Sequence, residues 1–178
     1  LQSGPDLGEE ITVMFREGIT VQQLAALLEE NGLHTADEIL EACNSSDYDS
    51  YSDVAAITNT SDRYYKLEGY LFPDTYQFFE NDTVESVLDR FLNNFENKLT
   101  DEMRDDIAKS GYTTDQIITL ASIIQAEAAN TDDMYMISAI LRNRLENGAE
   151  HDIHTLDCDS QFISVQNREY APEGFVSS

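Results

Sequence analysis

Basic residues are scarce in this chain. Ten Lys and Arg stand against 35 Asp and Glu across 178 residues, a net charge of −25. A surface that negative repels phosphate backbones and opposes adsorption to an anionic bilayer, so nucleic acid is excluded as a natural partner. Long apolar runs are also missing. None approaches the roughly 18 residues of a membrane-spanning helix, and no signal peptide is visible. The chain opens at Leu1 without an initiator Met, so any anchor is expected upstream. Cysteine is limited to Cys43 and Cys158, too few for a disulfide framework and open to either two thiols or one bridge. No Gly-rich phosphate loop occurs, which removes the usual signature of a nucleotide enzyme.

What is present is enough for a folded domain. Hydrophobic residues make up 41% of the chain, and its length allows one domain with a small subdomain. Most carboxylates serve solubility. A neutral polymer, such as a glycan backbone, suits the charge better than an anionic one. Asn-x-Ser/Thr triplets at Asn44, Asn59 and Asn81 arise easily by chance in a Ser/Asn-rich sequence.

The N-terminal third reads as strand, helix, helix. Ile11 to Phe15 is strand-like, and Thr20 with Gln23 forms a capping box for a helix through Leu24, Leu27 and Leu28 that Asn31-Gly32 ends. Thr35 with Glu38 opens a second short helix. Asn44 to Ser61 is polar and weakly periodic, hence mainly loop. The aromatic stretch Leu67 to Tyr76 contains Gly69 and Pro73 and cannot be helical throughout. Thr83 to Leu99 is an amphipathic helix with Val87, Leu88, Phe91, Leu92 and Phe95 on one side, and Glu102 to Lys109 is another helix. The division expected from this pattern is a strand–helix subdomain over 1–66 and a helical core over 67–178.

One carboxylate is out of place. In the helix expected over Asp115 to Ala128, with Thr113 and Gln116 as its capping box, Ile117, Leu120, Ala121, Ile124 and Ala128 form an apolar stripe. Glu127 projects from the same arc, between Leu120 and Ile123. Desolvation there would make it hold its proton more tightly, and a pKa near about 6 would suit a general acid. The plainer reading is a Glu at a helix end that reaches solvent or pairs with Arg142 or Arg144. After Ala129-Asn130, Thr131 caps a further helix that begins Asp132-Asp133 and runs to Gly148. The short connection implies an antiparallel pair, and the second helix carries Asn143.

Three segments resemble the MltG/YceG-like family of endolytic murein transglycosylases. They are Leu67-Glu68-Gly69-Tyr70-Leu71-Phe72-Pro73-Asp74-Thr75-Tyr76, Leu120-Ala121-Ser122-Ile123-Ile124-Gln125-Ala126-Glu127 and Asn143-Arg144-Leu145. A weaker match is Leu156-Asp157-Cys158-Asp159-Ser160-Gln161, where the family's Pro and Thr are Ser160 and Gln161 here. The family's first Glu of its Glu-x-Glu pair is Gln125. The resemblance covers the chain to about Gln166. It implies an α+β fold, predominantly helical with a small β-sheet, the catalytic domain of that family shortened at both ends.

The resemblance also implies a reaction. The family cuts the β-1,4 bond between N-acetylmuramic acid and N-acetylglucosamine without water, leaving a 1,6-anhydro end and so terminating or trimming nascent strands. Glu127 falls at the catalytic position. Glu68, Tyr70, Tyr76, Asn143 and Asp159 are carried over as substrate-binding or orienting residues, the two tyrosines as sugar-stacking faces; core packing is the alternative for those rings. The chemistry needs no cofactor. Expected partners are peptidoglycan strands and peptidoglycan synthases, with the catalytic region on the extracytoplasmic side of a membrane and anchored by an upstream helix. Two other readings remain. One is a non-catalytic glycan-binding or synthase-scaffolding module of the same fold. The other is a metal site at His151, His154 and Cys158 with Asp157 or Asp159, for which His-x-x-His alone is a weak signal.

Overall fold

A computed structural model describes residues 8–58 and 60–147. Its first elements follow from local sequence chemistry. Strand β1, Glu10–Met14, is followed by helix α1, Val21–Glu30, and helix α2, Ala36–Ala42. Both helices start with complete capping boxes, Thr20 with Gln23 and Thr35 with Glu38, each side chain satisfying the other residue's backbone N–H. Helix α1 buries Val21, Leu24, Ala25 and Leu28, and the chain leaves it through Gly32 at φ 81°. Only a residue without a side chain adopts that conformation at no steric cost. α1 and α2 pack on each other, and α2 also touches the later helix α4, Val84–Lys98.

The segment between α2 and the aromatic motif is mostly loop, as its polar composition implies, with a short helix α3 at Ser52–Ala55 and one 3-10 turn at Thr60–Asp62. The Asn44 side chain closes it. Its Nδ2 donates to the Tyr64 carbonyl at 3.1 Å and its Oδ1 accepts from the Lys66 N–H at 2.9 Å.

The aromatic stretch then yields a strand that local pattern does not announce, β2 at Thr75–Phe79. It pairs antiparallel with β1, placing Val13 opposite Tyr76 and Ile11 opposite Phe78. Alternation puts Val13, Phe15, Tyr76 and Phe78 on the inner face. Helix α4, Val84–Lys98, is capped by Thr83 and lays Phe91 against that face. The Phe91 ring lies 4.9 Å from Phe15 and 4.3 Å from Tyr76 between centroids. Each such fully buried side chain contributes about 1.5–3 kcal/mol through area alone. Helix α5, Asp101–Ser110, is capped by Thr100 and buries none of its residues.

Two longer helices complete the described chain: α6, Thr114–Glu127, and α7, Thr131–Asn147. The cap of α7 is one residue earlier than the sequence suggests. Asn130, not Thr131, accepts from the backbone of Asp132 at 2.9 Å and Asp133 at 3.1 Å, while its Nδ2 donates to the Asp133 carboxylate.

The chain forms two compact units, Leu1–Asp115 and Gln116–Ser178. By contact the division falls at 115/116, a different place from the 66/67 boundary expected from the sequence pattern. Pairing of β2 with β1, and burial of α4 on that sheet, make residues 67–110 part of the first unit. The observed fold is α+β and predominantly helical with a two-stranded sheet. Among the described residues, no helix is long and apolar enough to cross a membrane.

Candidate active site

Glu127 is the last residue of α6. Along that helix Leu120, Ile123, Ile124 and Glu127 are half-buried, whereas Ser122, Gln125 and Ala126 are exposed. Glu127 thus falls on the less exposed side of the helix with Leu120, Ile123 and Ile124, although Ala121 of the expected stripe is exposed. Gln125 is on the solvent side.

Asn143 lies on α7 in the same unit. It is exposed, and its Oδ1 accepts from Asn147 Nδ2 at 2.9 Å. Between α6 and α7 runs a cavity of about 280 Å³ walled by Ile117, Leu120, Ile124 and Leu141, with Ser138 and Arg142 among its polar lining. Leu141 is the buried residue of α7, 2% exposed. Glu127 follows Ile124 by one helical turn and is not one of the wall residues.

The aromatic motif belongs to the first unit, and there the sequence expectation needs correcting. Tyr70 is fully buried and Tyr76 nearly so. Tyr70 packs on Phe95 at 5.1 Å, and its phenol donates to Asp115 Oδ1 at 2.9 Å. Tyr76 lies in the Phe15, Phe78 and Phe91 cluster, donates to the Phe72 carbonyl at 2.6 Å and accepts from Asn94 at 2.8 Å. Both rings are core residues with their polar ends satisfied, not open stacking faces. Burial pushes the Tyr76 phenol up to about 12.

Glu68 is exposed as a residue, yet its carboxylate lies against the start of α1. Both oxygens accept from the Val21 N–H, at 3.3 and 3.2 Å. Desolvation raises its pKa above the ordinary carboxylate value, with the Val21 N–H and the Arg63 charge opposing the rise. An exposed backbone donor at a helix N-terminus is a natural place for an acid, so this contact accounts for Glu68 structurally. Asp159, like His151, His154, Asp157 and Cys158, lies outside the described residues. Among the described residues, no group of three or more metal-ligating side chains is placed to hold an ion.

Sequence reasoning missed two polar clusters. Arg63 pairs with Asp115 at 2.7 Å beside the Tyr70 phenol, both charged side chains being mostly buried. Asn94 joins Asp74 and Tyr76. Asp115 reads from sequence only as an acid in the first turn of a helix, and nothing local points to a partner some fifty residues earlier.

A family model, the YceG-like family, matches residues 1–170. The chain belongs to the YceG-like family. An endolytic murein transglycosylase of Streptococcus pneumoniae strain D39 is 37% identical over 81 residues, covering 46% of this chain and 14% of that protein. An endolytic murein transglycosylase of Bacillus subtilis is 25% identical over 146 residues, covering 78% of this chain and 40% of that protein. The YceG-like chain therefore spans less than half the length of either relative. A crystal structure of a YceG-like protein from Listeria monocytogenes superposes with a TM-score of 0.71 at 22% identity, over 94% of this chain and 53% of that one. This likeness supports the fold.

Proposed function

We propose that this YceG-like chain is the murein-cutting part of an endolytic lytic transglycosylase, with Glu127 as its acid and base. The reading is supported by the half-buried acid at the end of α6, where the motif resemblance places a catalytic carboxylate. Protonated Glu127 would give its proton to the glycosidic oxygen as the bond from C1 of N-acetylmuramic acid breaks. The carboxylate then takes the proton of the same sugar's C6 hydroxyl as that oxygen bonds to C1, so the acid is regenerated and a 1,6-anhydro ring closes. Hydrolases of the retaining and inverting types need a second carboxylate about 5–9.5 Å away. Intramolecular closure needs only one.

Action on murein would place the protein outside the cytoplasmic membrane, anchored by a segment upstream of Leu1 and working beside peptidoglycan synthases on nascent strands. Asn143 and Asp159 are proposed as hydrogen-bonding groups for the sugar or for Glu127. Glu68 acts through its contact with the start of α1.

The test is Glu127→Gln. The expected result is loss of anhydro-ended fragments from murein strands with helicity and thermal unfolding unchanged. Undiminished release of those fragments would remove Glu127 from the mechanism. Strand binding without cleavage by the parent chain would instead support a non-catalytic scaffolding module.

A further inference from the structure

We propose that the groove between α6 and α7 is a subsite for a short acidic peptide with small apolar side chains, the stem that murein carries on its lactyl groups. The inference rests on the murein-cleaving function above and assigns a part of the substrate that the sugar chemistry does not use.

Size and lining select the occupant. At about 280 Å³ the cavity sits at the small end of ligand pockets, which run to about 300–1,000 Å³. Its walls are Ile117, Leu120, Ile124 and Leu141, branched aliphatics with no aromatic plane for a sugar ring. Alanyl methyl groups match such walls. The polar members are the Ser138 hydroxyl, which can donate or accept, and the Arg142 guanidinium, which recognises carboxylates in bidentate fashion.

Among the described residues, Arg142 shares with Arg16 the lack of a carboxylate partner. Of ten basic residues, six pair with carboxylates in the structure: Arg63, Lys66, Arg90, Lys98, Arg104 and Lys109. Arg142 is exposed and has no hydrogen-bond or ion-pair partner among the described residues, despite 35 acidic side chains in the chain. A free guanidinium at the edge of an apolar groove is complementary to a peptide bearing carboxylates. Placement agrees as well. The groove's last wall residue on α6, Ile124, is one turn before Glu127, and a murein stem hangs from the same muramic unit whose bond would be cut.

The experiment uses uncleavable probes on the whole chain: N-acetylmuramyl-L-alanyl-D-glutamate against N-acetylmuramic acid without peptide, read by calorimetry and by methyl NMR shifts. The peptide-bearing sugar is expected to bind roughly tenfold more tightly, the scale of one charge-assisted contact, with shifts at Ile117, Leu120 and Ile124. Arg142→Gln should abolish most of that gain, and Arg142→Lys should restore part of it, with melting curves unchanged. Equal binding of the two probes, binding of neither, or an Arg142→Gln variant as selective as the parent would overturn the proposal. Glu127→Gln should keep the stem preference, so failure of the groove and failure of the proposed acid give different results.

Discussion

The Tyr70 phenol and the Asp115 carboxylate meet at 2.9 Å, and Arg63 reaches the same carboxylate oxygen at 2.7 Å. Asp115 is thereby tied to the aromatic motif of its own unit. Burial and the neighbouring Asp115 charge both push the phenol well above its ordinary range, so it acts as a donor at every physiological pH.

Removing either member of that pair should cost stability by different amounts. Tyr70→Phe leaves the carboxylate its arginine and should destabilise by about 1–2 kcal/mol, the scale of one hydrogen bond. Asp115→Ala strands a mostly buried guanidinium and should cost about 3–5 kcal/mol. Urea unfolding followed by far-UV circular dichroism measures both. Equal losses would mean that Arg63 finds another partner.

Glu68 predicts a pH signature. Its folded pKa is raised, so the folded chain holds that proton more tightly than the unfolded chain does. Stability associated with this group is therefore greatest below the ordinary carboxylate value and falls as pH climbs through that value toward the raised one. Glu68→Gln keeps an acceptor for the Val21 N–H and has no charge to desolvate. The melting temperature of the variant minus that of the parent should rise as the pH climbs above about 4, the ordinary carboxylate range. A flat or falling difference would contradict the assignment.

Cys43 is a fully buried free thiol, and burial pushes its pKa up to about 12. A chain carrying Cys158→Ser should thus resist a thiol reagent at pH 8 in native buffer and react fully in urea, because the thiolate is the reactive form. Rapid native labelling would show that the α2 end opens readily.

Tyr76 separates core from surface roles. Tyr76→Phe loses the bonds to the Phe72 carbonyl and Asn94 and should cost about 1 kcal/mol, with murein binding unaltered. Tyr76→Ala should cost about 3–5 kcal/mol by opening the cluster around Phe91. A selective fall in glycan affinity for Tyr76→Phe, with stability intact, would restore a contact role for this residue.

Features encoded within a few residues were legible in the sequence. The capping boxes of α1 and α2 and the stop at Gly32 depend on near neighbours, and these are present. What escaped depends on distant chain. β2 is hidden because Pro73 and Gly69 interrupt the pattern beside it and its partner strand precedes three helices. The same pairing turns Tyr76 inward, and Asp115, far along the chain, claims Tyr70. The α7 cap fell one residue early because Asn and Thr are both good caps and adjacent; only backbone geometry distinguishes Asn130.

The sheet also constrains the order in which this protein can be made. β1 is near the start of the chain, yet its only described partner strand follows α1, α2, α3 and the loop that Asn44 ties off. Helices in between can form early, and α1 and α2 can pack on each other, but the inner face of β1 has no partner until the aromatic motif has left the ribosome. A nascent chain paused before Thr75 would therefore present Val13 and Phe15 uncovered, a state that chaperones and proteases recognise.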